Sequence, residues 1–266
     1  MITTNNFHLA SGLTHALVGA NGTGKTTLLR QIAGQLPADN LRVFGEEPFD
    51  NQRVMDRTIL MGIDNPLPDA WSAGGIVKLG AARWETWNQQ RAEKLLEAFA
   101  VPNKRYSSLS RGQKSALGIV LAVASGCELM LLDEPYLGLD PDKREIFYQV
   151  LADERGRTIV IATHHLDELS TSIDTVSALD VNLYGAVEEI VEGVVELIGT
   201  PEHVAAVTQK LGVEPLMRDS SVLGERVVID ARTKVDAVYA AARGVVKVNP
   251  VSLQRAVSAL QLRNKR

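Results

Sequence analysis

The sequence predicts an α/β fold with a mainly parallel sheet, an inserted helical subdomain and a small C-terminal α/β region. Three observations lead to this class. Short apolar runs alternate with segments of helical composition, which is typical of parallel strands covered by helices on both faces. A glycine-rich loop joins the first apolar run to the first helix. A long, mostly helical stretch then separates that helix from the next apolar run.

The elements follow one another in this order along the chain. Residues 13–18 are the first predicted strand, and residues 25–35 form the helix after the loop. Residues 71–125 are mostly helical and include the apolar run 119–124. Beyond them, strands at 129–132 and 158–162 alternate with helices at 143–152 and 166–173.

The character of the chain changes near Pro201. Helices are predicted at 203–211, 234–242 and 250–262, the last opened by Pro250, and strands at 226–229 and 245–248. We therefore expect a main domain at 1–200, with a helical subdomain at about 66–125, and an accessory region at 201–266.

Length and composition exclude several classes of protein. The chain has 266 residues, of which 45% are hydrophobic and 23% charged, as in ordinary globular proteins. A net charge of −4 argues against a nucleic-acid partner. No apolar run reaches the roughly 20 residues that cross a bilayer, and we expect no signal peptide. Cys127 is the single cysteine, so no disulfide forms within the chain.

The glycine-rich loop matches a phosphate-binding pattern in full. Gly19, four residues, Gly24, Lys25 and Thr26 fit G-x-x-x-x-G-K-[ST], the P-loop of nucleoside triphosphatases. Backbone N–H groups must approach phosphate oxygens closely, Lys25 supplies a positive charge, and Thr26 ligates Mg²⁺. The candidate nucleotide-binding residues of this segment are Gly19, Asn21, Gly22, Gly24, Lys25, Thr26 and Thr27.

A pair of carboxylates follows the apolar strand at 129–132. Asp133 lies at the carboxyl end of this strand, where ligands bind in open α/β sheets, and is a candidate Mg²⁺ ligand. Glu134 lies one residue further out and is the candidate base that polarises the attacking water.

Three further motifs narrow the choice among P-loop proteins. Residues 109–113 read Leu-Ser-Arg-Gly-Gln, residues 137–141 read Leu-Gly-Leu-Asp-Pro, and Thr163-His164 follows the strand at 158–162. In this order they resemble the signature segment, D-loop and switch histidine of ATP-binding cassette (ABC) ATPases, with Arg111 in place of a glycine. The resemblance covers residues 13 to about 175.

The resemblance implies a mechanism in which two cassettes dimerise head to tail around two ATP molecules. Ser110, Gly112 and Gln113 of one subunit then face the P-loop of the other, and Asp140 communicates between the sites. Arg111 points either toward the same region or toward solvent. His164 bridges the γ-phosphate and Glu134; the adjacent His165 is the alternative. ATP and Mg²⁺ are the implied cofactors.

Two family features depart from the usual pattern. The only candidate for the aromatic residue that stacks on adenine is Phe7, and the sequence favours a place for Phe7 in the core of an edge strand instead. The glutamine expected between core and helical subdomain is replaced by Asp64 or Asn65. Asp64 is a candidate metal or water ligand, although its negative charge next to a triphosphate weakens binding unless it is offset.

The helical segment is similar to the bacterial drug, antibiotic and peptide exporter branch. Trp71, Trp84 and Trp87 are either core residues or, where exposed, contacts for a membrane subunit. The sequence thus predicts an ATP-hydrolysing exporter subunit with a second ATPase subunit and a separate transmembrane permease as partners, at the cytoplasmic face of the membrane. The alternatives are a soluble ABC ATPase acting on a non-membrane partner and a binding-only regulatory cassette; the retained Glu134 argues against the latter.

Overall fold

The computed structural model describes residues 1–4, 7–62, 67–154, 156–181, 183–221 and 224–264. These residues form two compact units, Met1–His164 and His165–Arg266. Among the described residues, no helix combines the length and apolar character that crossing a bilayer requires.

The first unit is built on four parallel strands in the order β5-β6-β7-β3. These are β3 (Thr14–Val18), β5 (Thr58–Gly62), β6 (Leu129–Asp133) and β7 (Thr158–Ala162). Every residue of β3, β6 and β7 is buried, which explains their continuous apolar sequences. Because the strands are parallel, the loop after β3 and the carboxylates after β6 lie at one edge of the sheet.

The first unit also contains a small antiparallel sheet, whose strands come before and after β3 in the sequence. It has the order β2-β1-β4, with β1 at Ile2–Thr3, β2 at His8–Leu9 and β4 at Arg42–Val43. Two-residue strands leave too weak an alternation to be recognised in the sequence.

Helices cover the first unit, and most of them begin at a polar cap. They are α1 (Lys25–Ile32), α2 (Gln52–Asp56), α3 (Ala73–Arg83), α4 (Gln89–Ala98), a 3₁₀ turn (Tyr106–Ser108), α5 (Arg111–Ala124) and α6 (Pro141–Asp153). The side chains of Ser72, Asn88, Ser110 and Asp140 accept hydrogen bonds from the first turns of α3, α4, α5 and α6.

Arg157 fixes the C-terminal end of α5. Its guanidinium donates to the carbonyl oxygens of Ala122, Val123 and Cys127 at 3.2, 3.2 and 2.9 Å and pairs with Glu154 at 2.8 Å. A cation at a helix C-terminus satisfies free carbonyls and complements the helix dipole. The helix that carries the signature segment at its other end is thereby anchored.

The second unit contains a four-stranded antiparallel sheet that the sequence only partly predicts. The unit begins with α7 (Leu166–Leu169), the antiparallel strands β8 (Thr175–Ala178) and β9 (Leu183–Ala186), and α8 (Val187–Gly193). The elements that follow are β10 (Val194–Gly199), α9 (Pro201–Leu211), β11 (Pro215–Ser221), β12 (Gly224–Asp230), α10 (Val235–Ala242), β13 (Lys247–Pro250) and α11 (Leu253–Asn264). The sheet order β11-β12-β10-β13, with its βαββαβ succession, is that of ferredoxin-like folds.

One detail of this unit differs from expectation. Pro250 ends β13 and α11 begins three residues later, so the proline does not open the helix. The expected domain boundary at residue 200 falls between β10 and α9, and β10 pairs with β12 and β13 beyond it. This pairing joins residues 194–199 to the C-terminal sheet, and the two compact units meet in sequence between His164 and His165.

Asp230, at the end of β12, is the centre of an ion-pair network in the second unit. Its carboxylate accepts from Arg232 at 2.8 Å and from Arg263 at 2.7 Å. Burial by itself raises the pKa of Asp230, but the hydrogen bonds and charge of Arg232, with the charge of Arg263, outweigh burial and leave this pKa below its ordinary value. These groups line an open cleft of about 790 Å³.

Asp230→Asn is expected to lower the free energy of unfolding near neutral pH by about 1–2 kcal/mol. Because the folded-state pKa is depressed, the stabilisation is present above the ordinary carboxyl value of 3.8 and is lost as the pH falls below it. Urea unfolding of both proteins across this range measures the difference. Glu192→Gln, in the same cleft but with no ion pair among the described residues, is the control. An unfolding difference that stays constant down to the acid end contradicts this account.

Candidate nucleotide-binding site

The loop between β3 and α1 is a bare backbone turn. Gly22 and Gly24 have φ values of +83° and +95°, a region that side-chain-bearing residues rarely adopt. No atom lies within 4 Å of where a Cβ would stand at either position. The glycines are therefore required by the backbone conformation, and they leave the concave side of the loop open.

Positive charge and free N–H groups converge inside this loop. The buried Lys25 donates from Nζ to the carbonyl oxygens of Gly19 at 2.7 Å and Ala20 at 3.2 Å. α1 begins at Lys25 behind Gly24, which provides no side-chain cap. The first N–H groups of the helix thus remain available, and together with the lysine they form an anion site of the kind that holds phosphate groups.

A hydroxyl and a carboxylate meet beside the loop. Thr26 Oγ1 donates to Asp133 Oδ2 at 2.6 Å, which joins the start of α1 to the end of β6. Hydroxyl and carboxylate oxygens are the ligands that Mg²⁺ prefers, and this pair borders the phosphate loop, so the residues fit such an ion. Within the described ranges, no group of three or more His, Cys, Asp or Glu side chains suits a metal.

Glu134 is held in an unusual backbone conformation. Its φ is +46°, in the left-handed region, and its N–H donates to Ala162 O at 3.0 Å on the neighbouring strand β7. Its carboxylate lies 2.8 Å from His164 Nδ1 through Oε1 and accepts from the Tyr136 hydroxyl at 3.2 Å through Oε2. The structure therefore brings Glu134 and His164 together at the end of adjacent parallel strands.

These groups surround one cleft of about 380 Å³. Its lining residues are Asn21, Gly22, Gly24, Lys25, Thr26, Thr27, Arg111, Asp133, Glu134 and Leu137. Arg111, whose direction the sequence leaves open, is exposed and lines the cleft of its own chain. The cleft thus carries two cations and two carboxylates.

The rest of the signature segment is shaped by a helix cap and a close backbone contact. Ser110 Oγ accepts from Gln113 N at 3.2 Å, and Gln113 Oε1 accepts from Ser110 N at 2.9 Å, which is a capping box. A Cβ on Gly112 would lie 2.2 Å from the carbonyl oxygen of Gly138, so glycine is needed where α5 meets this turn. Ser110, Gly112 and Gln113 are not among the residues that line the cleft of the same chain.

The remaining candidate residues lie apart from the cleft or outside the described residues. Asp140 caps α6 and accepts from Lys143 Nζ at 2.6 Å; hydrogen bonds from Lys143 lower its pKa. Phe7 is half-buried and forms hydrogen bonds with Thr4, and it is not among the residues that line the cleft. His165 is the N-cap residue of α7. Asp64 and Asn65 lie outside the described residues.

The three tryptophans of the helical subdomain differ in exposure. Trp71 is 46% exposed. Trp84 and Trp87 are half-buried and stack with ring centroids 6.5 Å apart. A Cβ on Gly80 would come within 2.6 Å of the Trp87 ring, so α3 carries glycine where this ring packs. Trp71 is therefore the tryptophan of this region that is available to a partner.

Sequence reasoning missed Tyr136 as part of the site. The only signal was its place, two residues after Glu134 in the segment that joins β6 to α6. That signal is weak, because a tyrosine after a buried strand more often belongs to the core.

A glycine loop with a buried lysine, beside a hydroxyl–carboxylate pair on a parallel sheet, defines a P-loop nucleotide-binding protein. The chain belongs to the ABC transporter family: the family model described as "ABC transporter" matches residues 2–137. This confirms the resemblance found in the sequence and the predicted fold class.

Relatives in the family have names that point in both directions of transport. The chain is 31% identical over 234 residues to the sulfate/thiosulfate import ATP-binding protein CysA of Brucella melitensis, covering 82% of this chain and 62% of that protein. It is 33% identical over 175 residues to the Nod factor export ATP-binding protein I of Paraburkholderia xenovorans, covering 61% of this chain and 57% of that protein. The matched regions thus span about three fifths of these relatives.

A solved structure shows the same fold. It is described as the ATP-binding subunit of an ABC transporter, and it matches with a TM-score of 0.62 and 23% identity over 69% of this chain and 82% of its own. At this identity the likeness shows the fold alone.

Proposed function

We propose that the chain binds and hydrolyses ATP as the nucleotide-binding subunit of an ABC transporter and powers a separate membrane-spanning subunit. The observation that carries this proposal is the convergence of Lys25, the Thr26–Asp133 pair and Glu134 around one cleft. Glu134 is in turn held by His164. Residues 1–200 are the proposed nucleotide-binding domain and 201–266 an accessory region.

The phosphate chain is proposed to lie in the glycine loop. The N–H groups at the start of α1 donate to phosphate oxygens, and Lys25, now turned to the carbonyl groups of its own loop, turns its ammonium toward the β- and γ-phosphates. Thr26 and Asp133 would hold Mg²⁺, which when bound neutralises charge on the triphosphate.

Hydrolysis is assigned to Glu134 with His164 beside it. A carboxylate of this kind accepts a proton from the water that attacks the γ-phosphorus. Because an ionised carboxylate only accepts hydrogen bonds, the 2.8 Å contact requires the proton to be on His164 Nδ1, so that His164 holds Oε1 of Glu134. His164 is half exposed, with 50% of its side chain accessible, and we propose that it lies next to the γ-phosphate.

Two features of the signature segment, the Ser110 hydroxyl and the N-terminus of α5, support head-to-tail dimerisation. Ser110 Oγ accepts a hydrogen bond in its capping box, so its own proton remains to be donated to a phosphate. The segment begins the 14-residue helix α5, whose N-terminus attracts anions. Since Ser110 and Gly112 do not line the cleft of their own chain, the proposed recipient is the nucleotide of a second cassette.

Docking of the membrane subunit is assigned to the helical subdomain, which leaves Trp71 and Leu79 exposed by 46% and 44%. Aromatic residues are enriched in the cores of protein interfaces. We propose export as the direction and the cytoplasmic membrane surface as the location, on the similarity of the helical segment to exporter ATPases.

A capture experiment tests the transporter assignment. Tagged Glu134→Gln protein, incubated with native membranes and ATP, is expected to recover a multi-span membrane protein at a near-stoichiometric ratio. Tagged Lys25→Ala protein treated in the same way is the control and is expected to recover much less. Reproducible, ATP-dependent recovery of soluble partners alone would overturn the membrane assignment in favour of a soluble ABC ATPase.

A further inference from the structure

Tyr136 lies directly behind the candidate base. It follows Glu134 by two residues and is buried, with 1% of its surface exposed. Its ring packs against Phe147 of α6 with centroids 6.4 Å apart. This packing fixes the ring, so its hydroxyl is delivered to one place in the site.

The hydroxyl of Tyr136 links two strand ends. It donates to Glu134 Oε2 at 3.2 Å and contacts Thr163 Oγ1. An ionised carboxylate only accepts, so the single phenolic proton goes to Glu134 and the Thr163 hydroxyl donates to the tyrosine oxygen. Each hydroxyl in this hydrogen-bonded series therefore donates to the next group, from Thr163 to Tyr136 and from Tyr136 to Glu134.

The hydrogen-bonded series from Thr163 to Glu134 is connected to the strand that precedes the glycine loop. Thr163 is fully buried, and its N–H donates to Leu17 O at 3.0 Å on β3, two residues before the loop begins at Gly19. The other carboxylate oxygen of Glu134, Oε1, is hydrogen-bonded to His164. With both oxygens bonded, the plane of the carboxylate is fixed relative to the loop.

We propose that Tyr136 is a positioning residue that orients the Glu134 carboxylate toward the attacking water. The inference rests on the proposed function, because it assigns Tyr136 a part in the same hydrolysis. Tyr136 takes no part in bond making. Its hydroxyl holds Oε2 so that the carboxylate receives the water proton without first rotating into place, and orientation of this kind lowers the barrier of the step.

Tyr136→Phe tests the proposal, because it keeps the buried ring and removes only the oxygen. We expect kcat for ATP hydrolysis to fall about tenfold, the effect of losing one hydrogen bond to a charged group. We expect KM and the Kd for ATP measured by calorimetry to stay at their wild-type values, and the variant to remain folded under the assay conditions with a modestly lower Tm. Tyr148→Phe, which removes a hydroxyl from the adjacent aromatic residue of α6, is the matched control and should leave kcat unchanged.

Two further variants separate positioning from packing. Thr163→Val removes the donor to Tyr136 at nearly constant volume and should lower kcat in the same direction by less. In the Glu134→Gln background, Tyr136→Phe should lower the residual rate little further, because the two residues act as a unit.

The possible outcomes are distinct. An unchanged kcat in Tyr136→Phe overturns the positioning role, as does a loss of ATP affinity that accompanies the fall in kcat. Wild-type protein that neither binds nor hydrolyses ATP would overturn the proposed function itself, and the positioning role with it.

Discussion

Glu134→Gln is expected to lower kcat for ATP hydrolysis by about 10²–10⁴-fold and to leave ATP affinity nearly unchanged. The amide is isosteric with the carboxylate but does not accept the water proton. Lys25, Thr26 and Asp133, the proposed phosphate and Mg²⁺ ligands, are untouched. Since binding persists and hydrolysis does not, the ATP-bound dimer should accumulate, and light scattering after size exclusion should show twice the monomer mass with ATP and the monomer without it.

Glu145→Gln provides the matched control for charge. Glu145 is exposed on α6 and interacts with Gln149, so the same substitution there should leave rate and mass unchanged. A Glu134→Gln protein that stays monomeric with ATP and hydrolyses at the wild-type rate would show that Glu134 is not the base.

Lys25→Ala is expected to weaken ATP binding by roughly 30- to 100-fold and to abolish measurable hydrolysis. The lysine is buried in the loop, and a charge-assisted hydrogen bond in such a site contributes about 2–3 kcal/mol. Removal of the ammonium leaves the triphosphate charge facing Asp133 and Glu134 with less compensation. Calorimetric titration with ATP measures the loss.

Lys94→Ala is the control for this variant. Lys94 is exposed on α4, and its loss removes the same charge without touching the cleft. ATP affinity that is equal in Lys25→Ala and wild-type protein would remove the P-loop assignment.

The phosphate loop and the strands around it could be predicted because their chemistry is local. Residues 13–18, 129–132 and 158–162 are mostly apolar, and the structure places β3, β6 and β7 there. The strand β5 was missed because two of its five residues are half-buried and it follows a short helix, which leaves no clear pattern.

The C-terminal sheet was harder to predict, for a physical reason. β11 has four exposed residues of seven and reads as a polar loop. β13 ends in Pro250, and a proline next to a helical pattern is commonly its first residue. The strand pairing that joins β10 to β12 and β13 is long-range and leaves no mark in the sequence.

Within the candidate site, sequence motifs pointed to Glu134 and His164, which the structure places in contact, but not to the side chain that lies behind them. The contact of Tyr136 with Glu134 depends on a turn geometry and on the left-handed backbone of Glu134, which no spacing in the sequence reveals. The placement of Arg111 at the cleft of its own chain likewise leaves no signal in the sequence.

The most direct test of the central claim is the rate of phosphate release from ATP by wild-type protein, measured side by side with Glu134→Gln. The account predicts turnover by the wild type and a loss of at least about 10²-fold in the variant at equal ATP occupancy. Equal rates in the two proteins would contradict it.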